Sequence, residues 1–207
     1  MELIRYLEAN YLSEEQLLSA SGLHTAELTD LQARKLMPRP SYTLQLDIAC
    51  DSYFGAHAEQ AGARYYAQGY VAWIGTVRAL AHEEDGFRVF AGRYLARLEA
   101  LGDAAHRPDL REEWRHFLSG TYGLCTRSGL PEDIAAKELA AAAIRSLTGH
   151  GAAHGVAELE DAQRERLLAA IDLLDLASSA FAPHERTRSS RHTLVDTLRA
   201  QLLSTNR

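Results

Sequence analysis

Apolar residues recur every three or four positions over most of this chain, and that spacing is typical of amphipathic α-helices. One such stripe predicts a helix over residues 56–81, and another predicts a helix over residues 85–101. The first stripe consists of Tyr66, Tyr70, Trp73, Val77 and Leu80, and the second of Phe87, Phe90, Tyr94 and Leu98. We therefore expect an all-α fold.

Proline residues mark where further helices begin and end. Pro108 and Pro131 each predict a helix start, because the first turn of a helix tolerates proline best. A long helical segment predicted from residue 156 ends before Pro183, and a last helix follows it. Together these helices predict a large helical bundle domain over residues 51–207.

Residues 1–50 predict a smaller module. Ser13 and Gln16 have the spacing of a capping box at a helix start. Gly22 can take the left-handed conformation that ends a helix, and Thr25 can cap the next one. Two helices joined by such a tight turn predict a helix-turn-helix-like module.

The segment of residues 12–40 resembles the N-terminal module of MerR-type regulators, which implies DNA recognition. The charges argue against that role. The first 45 residues hold four Lys or Arg against six Asp or Glu. In the predicted recognition helix, residues 24–37, Glu27 and Asp30 occupy the early positions that would approach the DNA bases. Because cations supply nearly all non-specific affinity for phosphates, we do not expect nucleic acid as a partner. The alternative is a structural module that has kept the fold and lost the ligand.

One segment after this module has the period of a strand. Tyr42, Leu44, Leu46 and Ile48 alternate with polar residues, which is typical of a half-buried strand. It is the only strand that the sequence predicts convincingly. It is either a wing on the helix-turn-helix or an extended linker, and the domain boundary is expected near Asp51.

Composition and charge narrow the classes of function. With 46% hydrophobic residues, 24% charged residues and a net charge of −6, the chain is expected to be globular. No apolar run approaches the roughly 18 residues that cross a bilayer, and the N-terminus lacks a secretory signal, so a cytoplasmic protein without membrane contact is expected. Neither a P-loop nor a dinucleotide-binding glycine motif is present. Cys50 and Cys125 match no metal-ligand spacing, so we expect free thiols, no metal and no cofactor.

Three residues in the middle of the chain are candidates for catalysis. Glu113 and His116 have the E-x-x-H spacing of di-iron bundles, but the second such pair that this site needs is missing. Cys125 lies in a glycine-containing connection over residues 119–129. It is a candidate nucleophile, with His116 as its base and Arg127 as an anion clamp, if the connection folds back on its helix. An exposed helix face and a buried inert thiol are the alternatives.

Two other segments have spacings that suggest a ligand. His150 and His154, with Glu158, match a helical metal site, but the surrounding glycines favour a loop, and no metal is predicted there. The cationic segment of residues 184–192 is suited to holding a phosphate or a carboxylate. A solvated interhelical loop is its alternative.

Aromatic residues are concentrated in one part of the chain, where nine of the sixteen lie between residues 53 and 94. Tyrosine is the informative type, since each buried phenol needs a hydrogen-bond partner. A wall of Tyr66, Tyr70 and Trp73, with Tyr122 from the later connection, is therefore expected to bind a polar or aromatic small molecule. Ordinary core packing is the alternative.

Several short segments together resemble a bacterial family of unknown function labelled natural product biosynthesis protein. They read LSEEQL at residues 12–17, RPSY at 39–42, LDIACDSYFG at 46–55 and GTYG at 120–123. The resemblance covers most of the chain and implies a role in assembling a specialised metabolite. It supplies no catalytic residues that can be carried over.

The leading hypothesis is thus a protein that binds a small-molecule biosynthetic intermediate, as a cofactor-independent enzyme of cyclisation, isomerisation or elimination type. Glu113, His116 and Cys125 are its candidate catalytic groups. Two alternatives are a MerR-like transcription regulator and a non-catalytic accessory protein of a biosynthetic enzyme. The long amphipathic C-terminal segment is compatible with a homodimer, although monomers show the same pattern.

Overall fold

The structure, a computed structural model, describes residues 2–103, 108–149 and 159–205. Over these residues helices dominate, accompanied by one three-stranded sheet. The helices are α1 (Glu2–Asn10), α2 (Glu14–Ser21), α3 (Thr25–Ala33), α4 (Tyr70–Val77), α5 (Glu83–Ala100), α6 (Leu110–Leu118), α7 (Thr121–Cys125), α8 (Pro131–Thr148), α9 (Asp161–Ala177) and α10 (Thr197–Thr205). A 3₁₀ turn (Arg186–Arg188) and a π-helical segment (His192–Asp196) precede α10. The strands are β1 (Tyr11–Ser13), β2 (Tyr42–Ser52) and β3 (Gly55–Ala67).

The sheet shows that the all-α prediction was wrong, and the fold is mixed, with helices dominating. Its strands lie in the order β1-β3-β2 and are antiparallel throughout. The helix predicted over residues 56–81 is replaced by β3 and the shorter α4. Gly55 and Gly62 weaken helix formation in this segment, and continuous pairing with β2 satisfies its backbone groups instead.

The strand predicted after Pro40 is confirmed as β2. It forms a hairpin with β3, in which Tyr42 pairs with Tyr65 at one end and Ser52 pairs with Gly55 at the other. The hairpin excludes the extended-linker alternative and leaves the wing-like one. It also spans the predicted domain boundary, since its two-residue turn follows Ser52.

The predicted capping box at the start of α2 is confirmed. The Gln16 backbone N–H donates to Ser13 Oγ at 3.2 Å, and the Ser13 backbone N–H donates to Gln16 Oε1 at 2.8 Å. Gly22 ends this helix in the left-handed conformation, with φ at 65°. α3 then begins at Thr25, so two helices and their tight turn directly precede the hairpin.

Aromatic packing joins this N-terminal part to the helices that follow. Trp73 of α4 packs edge-on against Phe117 of α6 at 4.8 Å between ring centroids, and Trp114 stacks on Phe117 at 5.4 Å. Trp73 Nε1 donates to the carbonyl of Leu36, in the segment after α3, at 2.8 Å. The two parts therefore share one core.

Two smaller clusters complete the packing. α8, α9 and the C-terminal helical segment bury aliphatic side chains such as Ile144, Ile171 and Val195 against each other. Beneath the sheet, Leu7 of α1 packs with Tyr11 and Tyr65. None of the helices in the described parts of the chain is long and apolar enough to cross a membrane.

The turn between α6 and α7 lies directly against the segment that leads into β2. At Gly120, where φ is 87°, an added Cβ would lie 2.8 Å from the Pro40 carbonyl oxygen and 2.9 Å from that of Arg39. The Arg39 N–H also donates to the Leu118 carbonyl at 2.9 Å. Only glycine fits at this crossing.

We therefore expect Gly120→Ala to lower the free energy of unfolding by about 3 kcal/mol or more, because it combines an unfavourable φ with a clash against backbone. Gly22→Ala is the matched control. Its φ is also positive but nothing lies within 4 Å of the added Cβ, so it should cost only about 1 kcal/mol. Urea denaturation of both variants measures the difference, and equal losses would contradict the close approach.

Candidate functional site

A polar cleft of about 590 Å³ lies between α1, the residues that follow α7, and the segment between α9 and α10. Its floor is held by backbone pairing between two distant parts of the chain. The Arg127 N–H donates to the Ala177 carbonyl at 2.8 Å, and the Ser179 N–H donates to the Cys125 carbonyl at 3.3 Å. These bonds fix the direction in which Arg127 leaves the floor.

One backbone carbonyl connects the floor to the wall formed by α1 and β1. The Leu124 oxygen accepts a hydrogen bond from Ser179 Oγ at 2.6 Å and another from Tyr11 Oη at 3.1 Å. Tyr11 lines the cleft together with Tyr6 and Asn10. The cleft is therefore closed on one side by the first elements of the chain and on the other by its C-terminal third.

The carboxylates in the cleft are already paired. Arg191 donates to Asp175 at 2.6 Å and to Asp196 at 3.2 Å, and Arg199 donates to Asp175 at 2.8 Å. Burial raises the pKa of Asp175, but the hydrogen bonds from Arg199 and Arg191 more than offset it, so this pKa lies below its ordinary value. Asp175 is thus ionised and paired with two arginines at neutral pH.

Two further arginines in the cleft have no such partner. Arg127 and Arg186 are exposed and line the cleft, and neither side chain makes an ion pair or a hydrogen bond within the part of the chain that the structure describes. We call this site, with Arg127, Arg186, Arg191, Tyr6 and Ser178, the arginine cleft. It carries a surplus of positive charge in a protein whose net charge is negative.

Buried hydroxyl groups add to this surplus of donors. Ser178 is 5% exposed, and its Oγ has no hydrogen-bond partner among the described residues. The Tyr6 hydroxyl lies near those of Tyr11 and Tyr42 but is in hydrogen-bonding geometry with neither. Burial raises the pKa of Tyr6, so it stays a protonated donor. A buried hydroxyl without a partner costs free energy, which an acceptor in the cleft would recover.

A second polar group lies inside the helical body, on the other side of α7. Tyr122 donates a hydrogen bond to Glu113, and the Lys137 ammonium lies 5.9 Å from the centroid of the Tyr122 ring. Lys137 is only 8% exposed and pairs with Glu138 at 2.8 Å. The hydroxyl of Tyr94 is buried beside them without a partner among the residues described. We call these five residues the acid–base cluster.

Burial sets the protonation of this cluster. It raises the pKa of Glu113, and the hydrogen bond from Tyr122 offsets only part of the rise. It also raises the pKa of the Cys125 thiol, against the opposing charge of Lys137. Burial lowers the pKa of Lys137, but Cys125 and Glu138 reverse the shift, so the ammonium form persists. Glu113 is the group in this cluster whose pKa is shifted towards neutral pH, where it could exchange a proton.

A protein-family model matches residues 86–203, which is more than half of the chain, and its description is a family of unknown function, DUF6058. The chain belongs to DUF6058. No curated protein and no solved structure matches it. The DUF6058 segment contains the acid–base cluster and, in the arginine cleft, Arg127, Ser178, Arg186 and Arg191. The wall with Tyr6 and Tyr11 precedes the segment.

The structure brings together only some of the residues that the sequence indicated. In this DUF6058 protein Glu113 contacts Tyr122, as described above. His116 is exposed on α6 and lies 3.7 Å from Glu112 rather than pairing with Glu113. Arg127 lies in the arginine cleft, whereas the Cys125 thiol is influenced by Lys137, on the side of the acid–base cluster. The His116 ring lies edge-on to the Tyr122 ring at 6.2 Å between centroids, and among the described residues no hydrogen bond joins His116 to Cys125.

The predicted aromatic wall lies in the core of the DUF6058 protein. Tyr66, Tyr70 and Trp73 are each at most 1% exposed, and none of them lines the arginine cleft. Tyr66 Oη donates to Glu14 at 3.1 Å. Since the Trp73 indole N–H donates to the Leu36 carbonyl, both of these polar groups have partners within the fold. The Tyr70 hydroxyl, in contrast, is buried without a hydrogen-bond partner among the described residues. Burial raises the pKa of Tyr66 to about 12.

His150, His154 and Glu158 lie outside the residues that the structure describes, and within those residues no group of three or more His, Cys, Asp or Glu side chains is placed to hold a metal. Sequence reasoning missed Tyr6 and Ser178, which carry no motif. The cationic segment of residues 184–192 was the signal that indicated the other half of the cleft.

Because the pKa of Glu113 is raised in the folded protein, this carboxyl should make the unfolding free energy depend on pH. A carboxyl whose pKa is higher in the folded state favours folding at low pH, and that contribution is lost as the pH rises from its ordinary value of 4.5 through the folded value. Glu113→Gln should therefore gain stability relative to the unmodified protein as the pH is raised from 4 to 8. The measurement is the difference in unfolding free energy across that range by urea denaturation.

Glu99→Gln, an exposed change on α5, is the control, and the Glu113→Gln difference should change more with pH than the difference for this control. If the difference in unfolding free energy between Glu113→Gln and the unmodified protein did not vary with pH, burial would not be raising the pKa of this carboxyl.

Proposed function

We propose that this protein binds a small organic anion, a carboxylate or a phosphate monoester, in the arginine cleft. The observation that carries the proposal is that Arg127 and Arg186 lack acceptors at a cleft whose buried Ser178 hydroxyl also lacks one. Guanidinium groups bind carboxylates and phosphates with paired, charge-assisted hydrogen bonds. The volume of about 590 Å³ lies within the range of small-molecule sites.

The charges around the cleft favour an anion over other ligands. A cation would need free carboxylates, but Asp175 and Asp196 are held by Arg191. An apolar ligand would leave the hydroxyls of Tyr6 and Ser178 without acceptors in a drier site, which is unfavourable. An anionic group placed between Arg127 and Arg186 would accept from both arginines and from the buried hydroxyls.

The setting of this ligand is part of the proposal. The segments that resemble the natural product biosynthesis family support an intermediate of specialised metabolism as the anion, handled in the cytoplasm. Many such intermediates carry a carboxylate or a phosphate, the chemistry to which the cleft is complementary. The DUF6058 match itself carries no activity.

A second candidate function is catalysis without a cofactor, and the acid–base cluster favours it. Glu113 with a raised pKa, hydrogen-bonded to Tyr122, is a base or acid suited to isomerisation or elimination. The short helix α7 links the two sites, since Tyr122 belongs to the cluster and Arg127 follows two residues after the helix ends. In this version Tyr122→Phe would abolish turnover while leaving binding in the arginine cleft intact.

A MerR-like regulator is the weaker alternative, because the exposed surfaces of the N-terminal part are acidic. Glu27 and Asp30 are exposed on α3, and the hairpin carries Asp47, Asp51 and Glu59. Phosphate contacts by these surfaces would be repulsive at physiological salt. An accessory, non-catalytic role remains compatible with anion binding alone.

Binding in the arginine cleft can be tested with a panel of aromatic and aliphatic carboxylates and phosphate monoesters. Thermal shift selects the best probe, since a ligand that binds only the folded state raises the melting temperature, and calorimetry then gives its affinity. Arg127→Gln and Arg186→Gln should each weaken it about tenfold or more, as expected for a hydrogen bond to a charged group.

Arg188→Gln is the matched control, because Arg188 is exposed on the same 3₁₀ turn as Arg186 but does not line the cleft. It should leave the affinity unchanged apart from a small general charge effect. Equal losses in Arg188→Gln and Arg186→Gln, or no binding by any probe, would refute the proposal.

A further inference from the structure

The β2–β3 hairpin extends away from the rest of the protein. Every residue from Asp47 to Gly62 is exposed, and the two residues of its turn, Tyr53 and Phe54, are 97% and 95% exposed. A two-stranded ribbon of this length is only marginally stable without packing on at least one face. We call residues 44–63 the arm.

The two faces of the arm differ in chemistry. Residues paired directly across the two strands lie on the same face of the ribbon, and successive pairs alternate between its faces. Every second pair counted from Tyr42 and Tyr65 therefore lies on the same face as these two tyrosines. That face is mostly apolar. The pairs on it are Leu44 with Ala63, Leu46 with Ala61, Ile48 with Glu59, and Cys50 with His57. The opposite face carries Asp47 and Asp51, with Gln60 donating to Asp47 at 2.9 Å.

Among the described residues, only those at the base of the apolar face are covered. Leu44 and Ala63 pack on the cluster around Leu7 of α1. Further out, no residue that the structure describes covers the face, and Ile48 is 41% exposed. An alternating apolar stripe of this kind specifies a buried face in a sheet. A group that covers the outer part of this face would come from outside the described residues.

We propose that a second copy of this chain covers the apolar face, with the two arms packed face to face and antiparallel about a two-fold axis. An axis at the level of Ala49 would place each Ile48 over the partner's Cys50. It would also bring Phe54 alongside the partner's Leu44, because each lies five residues from Ala49. The exposed turn of each arm would then reach the covered base of the other.

The charges on the face fit a second copy better than an unrelated partner. His57 and Glu59 are the ionisable residues of this face besides the Cys50 thiol, and within one chain His57 Nε2 lies 3.5 Å from a carboxylate oxygen of Glu59. In the same antiparallel arrangement His57 of each copy would face the partner's Glu59, as an isologous interface requires. Packing through the other face would instead bring Asp47 and Asp51 of the two copies together. Self-complementarity therefore selects the apolar face.

The size of the interface limits how strong such a dimer can be. Stable protein–protein interfaces use about 20–30 residues a side. The apolar face of the arm supplies ten residues, and the turn adds Tyr53 and Phe54. Because this number lies below that range, we expect a weak dimer whose formation depends on protein concentration.

The test is analytical ultracentrifugation of the full chain over a concentration series up to about 100 µM. The unmodified protein should show a monomer–dimer equilibrium. Ile48→Asp should raise the dimer dissociation constant at least tenfold, because it removes apolar burial and adds a buried charge. Ala49→Asp, the adjacent residue on the opposite face, is the matched control and should leave the constant unchanged.

A charge exchange tests the arrangement itself. His57→Glu should weaken the dimer by placing two acids together, and adding Glu59→Lys to the same chain should restore it. Circular dichroism checks that each variant is folded, which is expected since all the changed residues are exposed. A monomer at every concentration, or dissociation by Ala49→Asp but not by Ile48→Asp, would overturn the proposal. Neither result bears on anion binding in the arginine cleft.

Discussion

The hydrogen bond and ring contacts of Trp73 hold together the parts of this protein that the sequence predicted as separate modules. The indole N–H reaches the Leu36 carbonyl, while its ring packs against Phe117 of α6. A buried indole needs both a polar partner and an apolar surround, and here the two come from different parts of the chain. The hairpin and α1 are positioned relative to the helical body by this joint and by the backbone crossing at Gly120.

The segment around α7 has a similar connecting role for the two polar sites. It presents Tyr122 to the helical interior and Arg127 to the arginine cleft, and the Leu124 carbonyl between them binds both walls of the cleft. The interior site is built on burial, which displaces the pKa of Glu113 upwards. The cleft is built on unpaired donors near the surface. The two sites thus obtain their chemistry from opposite physical effects a few residues apart.

Local sequence rules predicted the features that depend on neighbours in the chain. The Ser13–Gln16 capping box, the left-handed Gly22 and the proline at the start of α8 were all readable in this way. β3 was not, because its alanines favour a helix and only non-local pairing with β2 makes it a strand.

The site residues likewise divide into those that local sequence indicated and those that only the fold revealed. Arg127 and the cationic segment of residues 184–192 were identified as anion-binding candidates by charge alone. Ser178 and Tyr6 became relevant only through burial without a partner, and the Tyr66 hydroxyl found its partner in distant Glu14. The DUF6058 segment begins after α4, so the aromatic surface of Phe90, Trp114 and Phe117 is completed by Trp73, a residue outside the segment. The matched segment therefore covers only part of this packed core, and the N-terminal part supplies the rest.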